Sequence, residues 1–497
     1  MAVWSKQGGH WPSMVPDEMS VPWFGWARRP CGVGRRSLTE EVIRFFWIPE
    51  RTVDSMEVIM KENRPAAVPI ILVTVFLDMM GIAIVIPVLP GLIATFTADR
   101  DAQTYWYGAM LASYGLMQFV SAPILGALSD RLGRRPVLLV SIFGLAFTFL
   151  LTAISPSLWL MLLARLIGGG AGGSFSVASA YVADVTKPEE RSRSFGVLGV
   201  AFGLGFIFGP MIGGTLALAD IRLPYFAAGT LGLVNWLYGF LVLPESLPLD
   251  RRKPFSIARA NPFSALIALT KVHGVGGLIL VYALTVFPQY LLQCTWVLYN
   301  TFRFGWAPWE NGVSLFLAGI VFAVGQGAVL GIMLRRFGDF RTALIGLTSS
   351  FLAYLLYGLA FQGWMMYAII LSNVLGSLGG PALQGIISKA VDPREQGVTM
   401  GSLSSINSMM GVIAPLVGTP LLSFVAHYPA TDLRAGVTFY VAAAVQGCAL
   451  LLAFRHFRGT EDQVLFVGKA KHWSLNRRDG VMAKGRRGER AKGRKGE

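Results

Sequence analysis

The chain has 497 residues, of which only 14% are charged and 54% hydrophobic, with 57 glycines and a mean hydropathy of +0.55. Such a composition cannot furnish the water-exposed surface of a soluble protein; it is the balance of a helical membrane protein with many crossings, whose close helix contacts favour small residues. The net charge of +15 is unevenly spread, with twelve Lys/Arg against five Asp/Glu in Arg458–Glu497 alone, so it reads as membrane topology and anionic-lipid contact and not as nucleic-acid binding.

Residues 1 to about 65 are polar, tryptophan-rich and irregular, without the charged start, apolar centre and small-residue cleavage site of a signal peptide. They read as an N-terminal extension, either disordered or lying ahead of a natural start at Met60, which directly precedes Lys61-Glu62-Asn63-Arg64 and the first apolar run. From Ala66 onward, twelve segments are long enough to cross a hydrocarbon core, which takes about 20 apolar residues per helix. They fall at 66–94, 106–129, 136–155, 158–183, 194–217 and 223–243, then at 274–299, 311–334, 342–361, 363–388, 398–425 and 435–455. A basic break with Pro244, Pro248, Pro254 and Pro262 divides them six and six. The predicted architecture is an all-α integral membrane protein of twelve transmembrane helices in two six-helix pseudo-repeats. One bundle covers 66–244, a linker 245–273, the second bundle 274–455 and a basic tail 456–497. Cys31, Cys294 and Cys448 lie far apart, which gives neither a disulfide framework nor a metal cluster, and no cofactor is expected.

Lys and Arg collect in cytoplasmic loops. Alternate loops hold sixteen of them, including Arg131, Arg134, Arg135, Arg251, Arg252, Lys253, Arg335, Arg336 and Lys389, against four in the other set: Arg100, Arg222, Arg303 and Arg434. Both termini and the linker are therefore expected in the cytoplasm, with the chain in the inner (plasma) membrane. The halves also repeat. An offset of 205 residues brings Gly126 onto Gly331, Arg131 onto Arg336, Gly133 onto Gly338, Trp159 onto Trp364, Pro210 onto Pro415 and Gly213 onto Gly418 without a gap. Two copies of one unit facing each other predict a binding site between them, near the bilayer midplane.

Three stretches carry chemistry. In the loop after the second helix, Gly126 and Gly133 permit a sharp turn, Asp130 can meet a helix N-terminus, and Arg131, Arg134 and Arg135 can meet acids across the loop. Asp184, at the end of the fourth helix, is the expected partner. In the fifth helix, Gly205, Gly209, Gly213 and Gly214 make a closely packing stripe around Pro210, which removes a backbone donor and introduces a bend. Asp78 lies inside the first apolar run, in Leu77-Asp78-Met79-Met80-Gly81 ahead of Pro87 and Pro90.

These stretches, with Leu243-Pro244-Glu245-Ser246 and Gly380-Pro381-Ala382-Leu383-Gln384-Gly385, resemble the major facilitator superfamily and, within it, the tetracycline/proton antiporter branch. The resemblance implies that the Gly126–Arg135 loop gates the cytoplasmic side and that the glycine stripe is the antiporter motif separating exporters from importers. It also implies export of an amphipathic small molecule or drug, tetracycline-like in the family's pattern, in exchange for protons.

An ionised acid inside an apolar helix is costly, so Asp78 is the expected proton-binding group, the alternative being a hydrogen-bonded carboxyl that holds the bend at Pro87. Arg165, ahead of Gly168, Gly169, Gly170 and Gly172, is the second proton-coupling candidate. It acts on a nearby carboxylate, holds water and carbonyls in a proton path, or pairs with a carbonyl at a helix break; the first of these needs proximity to Asp78. Neither residue has a counterpart in the second half, where the offset gives Ala283 and Ile370. The tetracycline carriers place a histidine in the eighth helix and an aspartate in the ninth, where this chain has Phe322 and Ser350, which weighs against tetracycline itself.

Candidate substrate contacts are Tyr114 and Gln118 in the first half and Gln293, Trp296, Gln326, Asn373, Gln384 and Asn407 in the second. Such aromatic and amide groups suit an amphipathic molecule, and each is also explicable as interhelical packing. No phosphate-binding loop, metal cluster or nucleophile with a spaced histidine points to an enzyme. The expected partners are a small-molecule substrate, protons and the lipid bilayer, with the chain monomeric. A metabolite importer or uniporter of the same fold, and a transport-inactive receptor or scaffold, are the rival readings.

Overall fold

The computed structural model describes residues 64–187, 190–255, 276–391, 396–429 and 431–457. The N-terminal extension with the start at Met60, most of the linker and the basic tail lie outside the described residues. Each apolar run is helical, because a helix satisfies every backbone polar group of a segment from within that segment. The first half contains α1 (Arg64–Ile84), α2 (Leu89–Ala94), α3 (Arg100–Leu132), α4 (Arg134–Ala153), α5 (Leu158–Ala171), α6 (Ser174–Val185), α7 (Arg191–Leu216) and α8 (Leu223–Val242). The second contains α9 (Gly276–Phe304), α10 (Pro308–Val324), α11 (Leu330–Leu359), α12 (Gly363–Ser372), α13 (Gly379–Ala390), α14 (Gln396–Val425) and α15 (Leu433–Phe457).

Several crossings are broken, the first at the proline where the sequence suggests a bend. The first stops at Ile84 and resumes at Leu89, on either side of Pro87. The fourth breaks at Gly172-Gly173 and the tenth passes through a 3-10 segment, Asn373–Leu378, at the level that the 205-residue offset assigns. The expected loop between 334 and 342 is a tight turn: the helical run from Pro308 to Leu359 has non-helical dihedrals at Gly338, where two helices meet across a kink. Among the described residues, eleven helical spans are long and apolar enough to cross a membrane. This run is about twice the length one crossing needs, so eleven runs are consistent with twelve crossings.

Gly133 and Gly338, related by the offset, have φ of +106° and +74°, a region open to glycine and strained for other residues. Each makes the turn at the charged loop of its half. That loop marks what is called here the loop end of the molecule, and the opposite side the far end.

α1 to α8 pack among themselves and α9 to α15 do likewise, and the two sets meet along two seams, α3 with α14 and α7 with α10. The buried apolar residues show where the halves touch. At the far end one continuous cluster joins Leu92, Met110, Met161 and Tyr225 of the first half to Leu291, Tyr299, Met366 and Phe439 of the second. At the loop end the core is split into two clusters, one around Val137, Val177 and Tyr181, the other around Leu278, Leu347 and Leu383.

The seam helices tell the same story residue by residue. A Cβ on Gly115 would come within 2.9 Å of the Gly411 carbonyl oxygen, and one on Gly214 within 2.6 Å of the Pro308 carbonyl oxygen. Towards the loop end the same helix faces meet nothing: Gly196, Gly199 and Gly203 of α7, Gly327 beyond α10 and Gly401 of α14 have no neighbour within 4 Å of an added Cβ. The halves therefore diverge into a cleft that opens at the loop end and is closed at the far end. The far end is also clasped by polar contacts across the α3–α14 seam. Arg100 donates to the Ala426 carbonyl at 2.7 Å, the Ser423 hydroxyl donates to Asp101 at 2.6 Å, and His427 lies 3.6 Å from Asp101.

Candidate functional site

The turn at Gly133 is built by three acids. Arg134, buried, reaches Asp130 at 2.7 Å and Asp184 at 3.0 Å, and donates to the Ser129 hydroxyl at 2.6 Å. A glycine at the helix N-cap offers no side chain to the free amides of α4. Glu245 supplies one from beyond α8: its carboxylate accepts from the Arg134 amide at 2.8 Å and the Arg135 amide at 3.2 Å. A Cβ on Gly133 would strike that carboxylate. The Arg135 guanidinium donates to the Phe240 carbonyl at 2.6 Å, and the Lys253 amide to the Asp130 carbonyl at 3.0 Å.

The loop thus ties the ends of α3, α4, α6 and α8 together. A cavity of about 410 Å³ lined by Asp130, Arg134, Asp184, Leu247, Arg251 and Lys253 opens beside it. Asp130, Arg134 and Asp184 come together as their spacing suggests, with every contact inside the first half. Arg131 does not join them; it is exposed, with no ion pair among the described residues. Glu245 has no counterpart in the sequence-based reading of the loop, because its role depends on where the chain returns after α8.

The second half repeats this device with its charges exchanged. The offset carries Arg134 to Asp339 and Asp184 to Lys389, and these two are paired at 2.5 Å. Applying the offset to Arg134 as well as to Asp130 and Asp184 reveals the pair from sequence.

The glycine stripe of α7 lies between two partners. Gly205 and Gly209 face Met79, Met80 and Ala83 of α1, and Gly213 faces the Ile84 carbonyl where α1 ends, too close for any Cβ. Gly214 and Pro210 face Pro308 and Gly312 of α10, across the seam. The stripe is where the first half's own packing and its contact with the second half share one helix.

Asp78 and Arg165 are the two Asp, Glu, Lys or Arg residues placed well inside crossings, away from helix ends, among the described residues. Asp78 lies at the break at Gly172-Gly173, and Arg165 about two turns before that break along the fourth crossing. Asp78 is 7% exposed and accepts a 2.6 Å hydrogen bond from the hydroxyl of Ser174, the first residue of α6. Its carboxyl is turned to the first residue of α6, and no hydrogen bond to the bend at Pro87 is present among the described residues. Arg165 forms no ion pair with Asp78; it donates to the Tyr225 hydroxyl at 3.2 Å. Tyr114 lies within electrostatic reach of both. Gln118 donates to the Gly172 carbonyl at 3.0 Å, satisfying an acceptor that the break exposes. A Cβ on Gly169 would meet the Tyr114 backbone, so the glycines here make room for α3.

The second-half candidates divide into three groups. Gln384 and Asn407 converge on the hydroxyl of Tyr282, at 2.7 and 2.9 Å. This buried tyrosine of α9 escapes notice in the sequence because tyrosine is common in apolar helices. Trp296 is buried, its indole N–H donating to Ser314 at 2.9 Å and its ring set edge-on to Tyr357, a packing environment in this conformation. Asn373 accepts from Ser349 at 2.9 Å inside the 3-10 break of the tenth crossing. Gln326 lies in a π-helical turn, Gly325–Val329, and Gln293 is exposed. Phe322 is exposed, while the Ser350 hydroxyl donates to the Gly376 carbonyl at 3.2 Å.

Comparison with known proteins agrees with this arrangement. The chain is 38% identical over 362 residues to the Tetracycline resistance protein, class C, of Escherichia coli, covering 73% of this chain and 90% of that protein. Among solved structures, the human organic anion transporter MFSD10 (TETRAN) aligns with a TM-score of 0.58 at 28% identity, covering 79% of this chain and 99% of that one. A bacterial homologue of the human lysosomal transporter Spinster, inward-facing and unoccupied, gives a TM-score of 0.63 over 80% and 97% of the two chains; at 15% identity it speaks to the fold alone. The family description Major Facilitator Superfamily matches residues 71–415. Two helical halves meeting along paired seams, a glycine-turned charged loop in each and this match lead to one statement: the chain belongs to the Major Facilitator Superfamily, a family of membrane transporters and not of enzymes.

Proposed function

We propose that this protein is a proton-coupled exporter of an amphipathic small molecule. The observation that carries the reading is the conjunction of a cleft open at one end only with a buried carboxyl, Asp78, beside the helix break of the half that lines it. With the basic loops in the cytoplasm, as their Lys and Arg favour, the described state is the inward-open one of a multi-pass protein in the inner membrane. The two halves, first helix to Pro244 and 274 to 455, rock about the central site; the loop at Gly126–Arg135 with Asp184 belongs to the inward gate. The α7 stripe of Gly205, Gly209, Pro210, Gly213 and Gly214 is the exchange motif.

In the proposed cycle Asp78 takes a proton from outside and releases it inside, with Arg165 as the fixed cation of the same region. At a membrane potential of about 100 mV each inward proton supplies roughly 2.3 kcal/mol, enough for about fifty-fold accumulation outside. The relatives' names suggest tetracycline, whereas Phe322 and Ser350 stand where those carriers place ionisable groups, which favours a different amphipathic drug.

The test is an efflux and susceptibility screen in a pump-deficient strain, followed by proton release from inverted vesicles on addition of the drug. Proton movement in the same direction as the drug would replace exchange by the importer reading. Drug accumulation unchanged by expression would favour a receptor or scaffold.

A further inference from the structure

Among the described residues, the one cation deep in the first half has no acid to answer it. Arg165 lies in α5, its Nη2 donating to the hydroxyl of Tyr225 at 3.2 Å, and no carboxylate pairs with it among the described residues. Asp78, the only acid at this depth among them, is turned to Ser174. The groups beside Arg165 are phenolic: Tyr225 of α8 accepts its hydrogen bond and Tyr114 of α3 lines a small cavity with it, with Tyr107 of α3 within electrostatic range. A small cavity, of about 10 Å³ and so of the order of one water molecule, is lined by Arg165, Tyr114, Thr148, Thr152, Phe149 and Gly168. Tyr107 is also within reach of Cys294 in α9, which places this group beside the second half.

A guanidinium with five donors and one phenolic partner is a recognition group for a negatively charged or acidic oxygen. The tyrosine rings around it offer apolar faces with hydrogen-bonding tips, the combination an aromatic anion requires. The second half offers amides and hydroxyls, such as Gln384, Tyr282 and Asn407, and no acid inside its crossings among the described residues away from the loop-end turn. The second half therefore offers no fixed negative charge to draw a cation into the cleft, and the acid of the first half, Asp78, is turned to Ser174.

We infer that Arg165, with Tyr225 and Tyr114 beside it, is the docking point for the acidic oxygen of the transported molecule, so that the substrate class is the amphipathic organic anion. This inference rests on the export reading above and narrows it. An anion leaving while a proton enters moves two elementary charges per cycle, where a neutral substrate moves one.

The experiment uses the purified full chain and two dyes of the same xanthene frame, anionic fluorescein and cationic rhodamine 6G. Binding is followed by tryptophan fluorescence in detergent, and charge movement by currents in proteoliposomes on a solid support. Fluorescein is expected to bind at least about tenfold more tightly than rhodamine 6G, because a charge-assisted contact contributes that much. Arg165→Gln, which keeps a donor for Tyr225, is expected to remove this preference and leave rhodamine 6G binding unchanged; Arg165→Lys restores part of it. Equal or tighter binding of rhodamine 6G, binding of neither dye, or an equal loss of both in Arg165→Gln with normal yield would overturn the inference. The export reading fails separately: fluorescein currents without accompanying proton movement would remove the exchange and leave the Arg165 contact standing.

Discussion

Asp78 is the residue on which coupling turns. Its carboxyl is held by one hydroxyl, that of Ser174, and is otherwise shut away from water and from Arg165. Asp78→Asn keeps the shape and removes the exchangeable proton. The expected outcome is normal membrane abundance with loss of substrate-driven proton release from inverted vesicles; proton release at the original rate would move the coupling site elsewhere. Gly213 makes a different kind of demand, since a methyl group there would meet the Ile84 carbonyl of α1. Gly213→Ala is expected to destabilise by about 1–3 kcal/mol, seen as earlier aggregation on heating in detergent, with Gly199→Ala as a neutral control because nothing lies near it. Asp78 was legible because an acid in an apolar run has few reasons to be there. Ser174, Tyr225 and Tyr282 were not, since serine and tyrosine are ordinary residues in such helices and only the fold brings them to a partner.

Among the elements, the two charged turns share a backbone and differ in charge. In the first half a buried arginine bridges two acids that are about a quarter to a third exposed. In the second, the Lys389 side chain is 69% exposed and Asp339 30%. Arg134→Ala leaves two acids without a partner and is expected to cost roughly 1–3 kcal/mol, below the figure for a fully buried pair because water reaches both. Asp339→Asn is expected to cost no more than about 1 kcal/mol, so the thermal stability of the two variants in detergent should rank in that order. Equal losses would contradict the burial argument. Helix positions could be read from apolar length, whereas the breaks at Gly172-Gly173 and Asn373–Leu378 could not, because membrane helices carry many glycines without breaking. The charged turn between 334 and 342 is legible from composition, whereas its tightness, a kink at Gly338 between two helices, is not.

At the scale of the whole molecule, the 205-residue repeat announced two similar halves, and nothing in it said which end of their interface would be closed. That is a balance between two packings of the same surfaces and leaves no mark in residue periodicity. The closed far end can be tested directly. Cysteines replacing Asp101 and Ser423, whose side chains are hydrogen-bonded across the α3–α14 seam, are expected to join through a methane-length thiosulfonate reagent and to stop transport until reduced. Efficient cross-linking with transport unimpaired would mean that the far end need not open.

The empty faces of the seams have a consequence for how variation in this protein is tolerated. A Cβ on Gly203 or Gly327 would meet nothing within 4 Å in the described state, so a side chain there has room to start without disturbing this state. Rocking of the halves would bring the same faces together, and the added atoms would then stand in the way. Gly203→Leu is expected to melt like the parent protein and to transport nothing, a variant that any screen for stability would pass and any screen for growth on the drug would reject. The residues most exposed to selection by function are thus, along this edge, the ones least exposed to selection by folding.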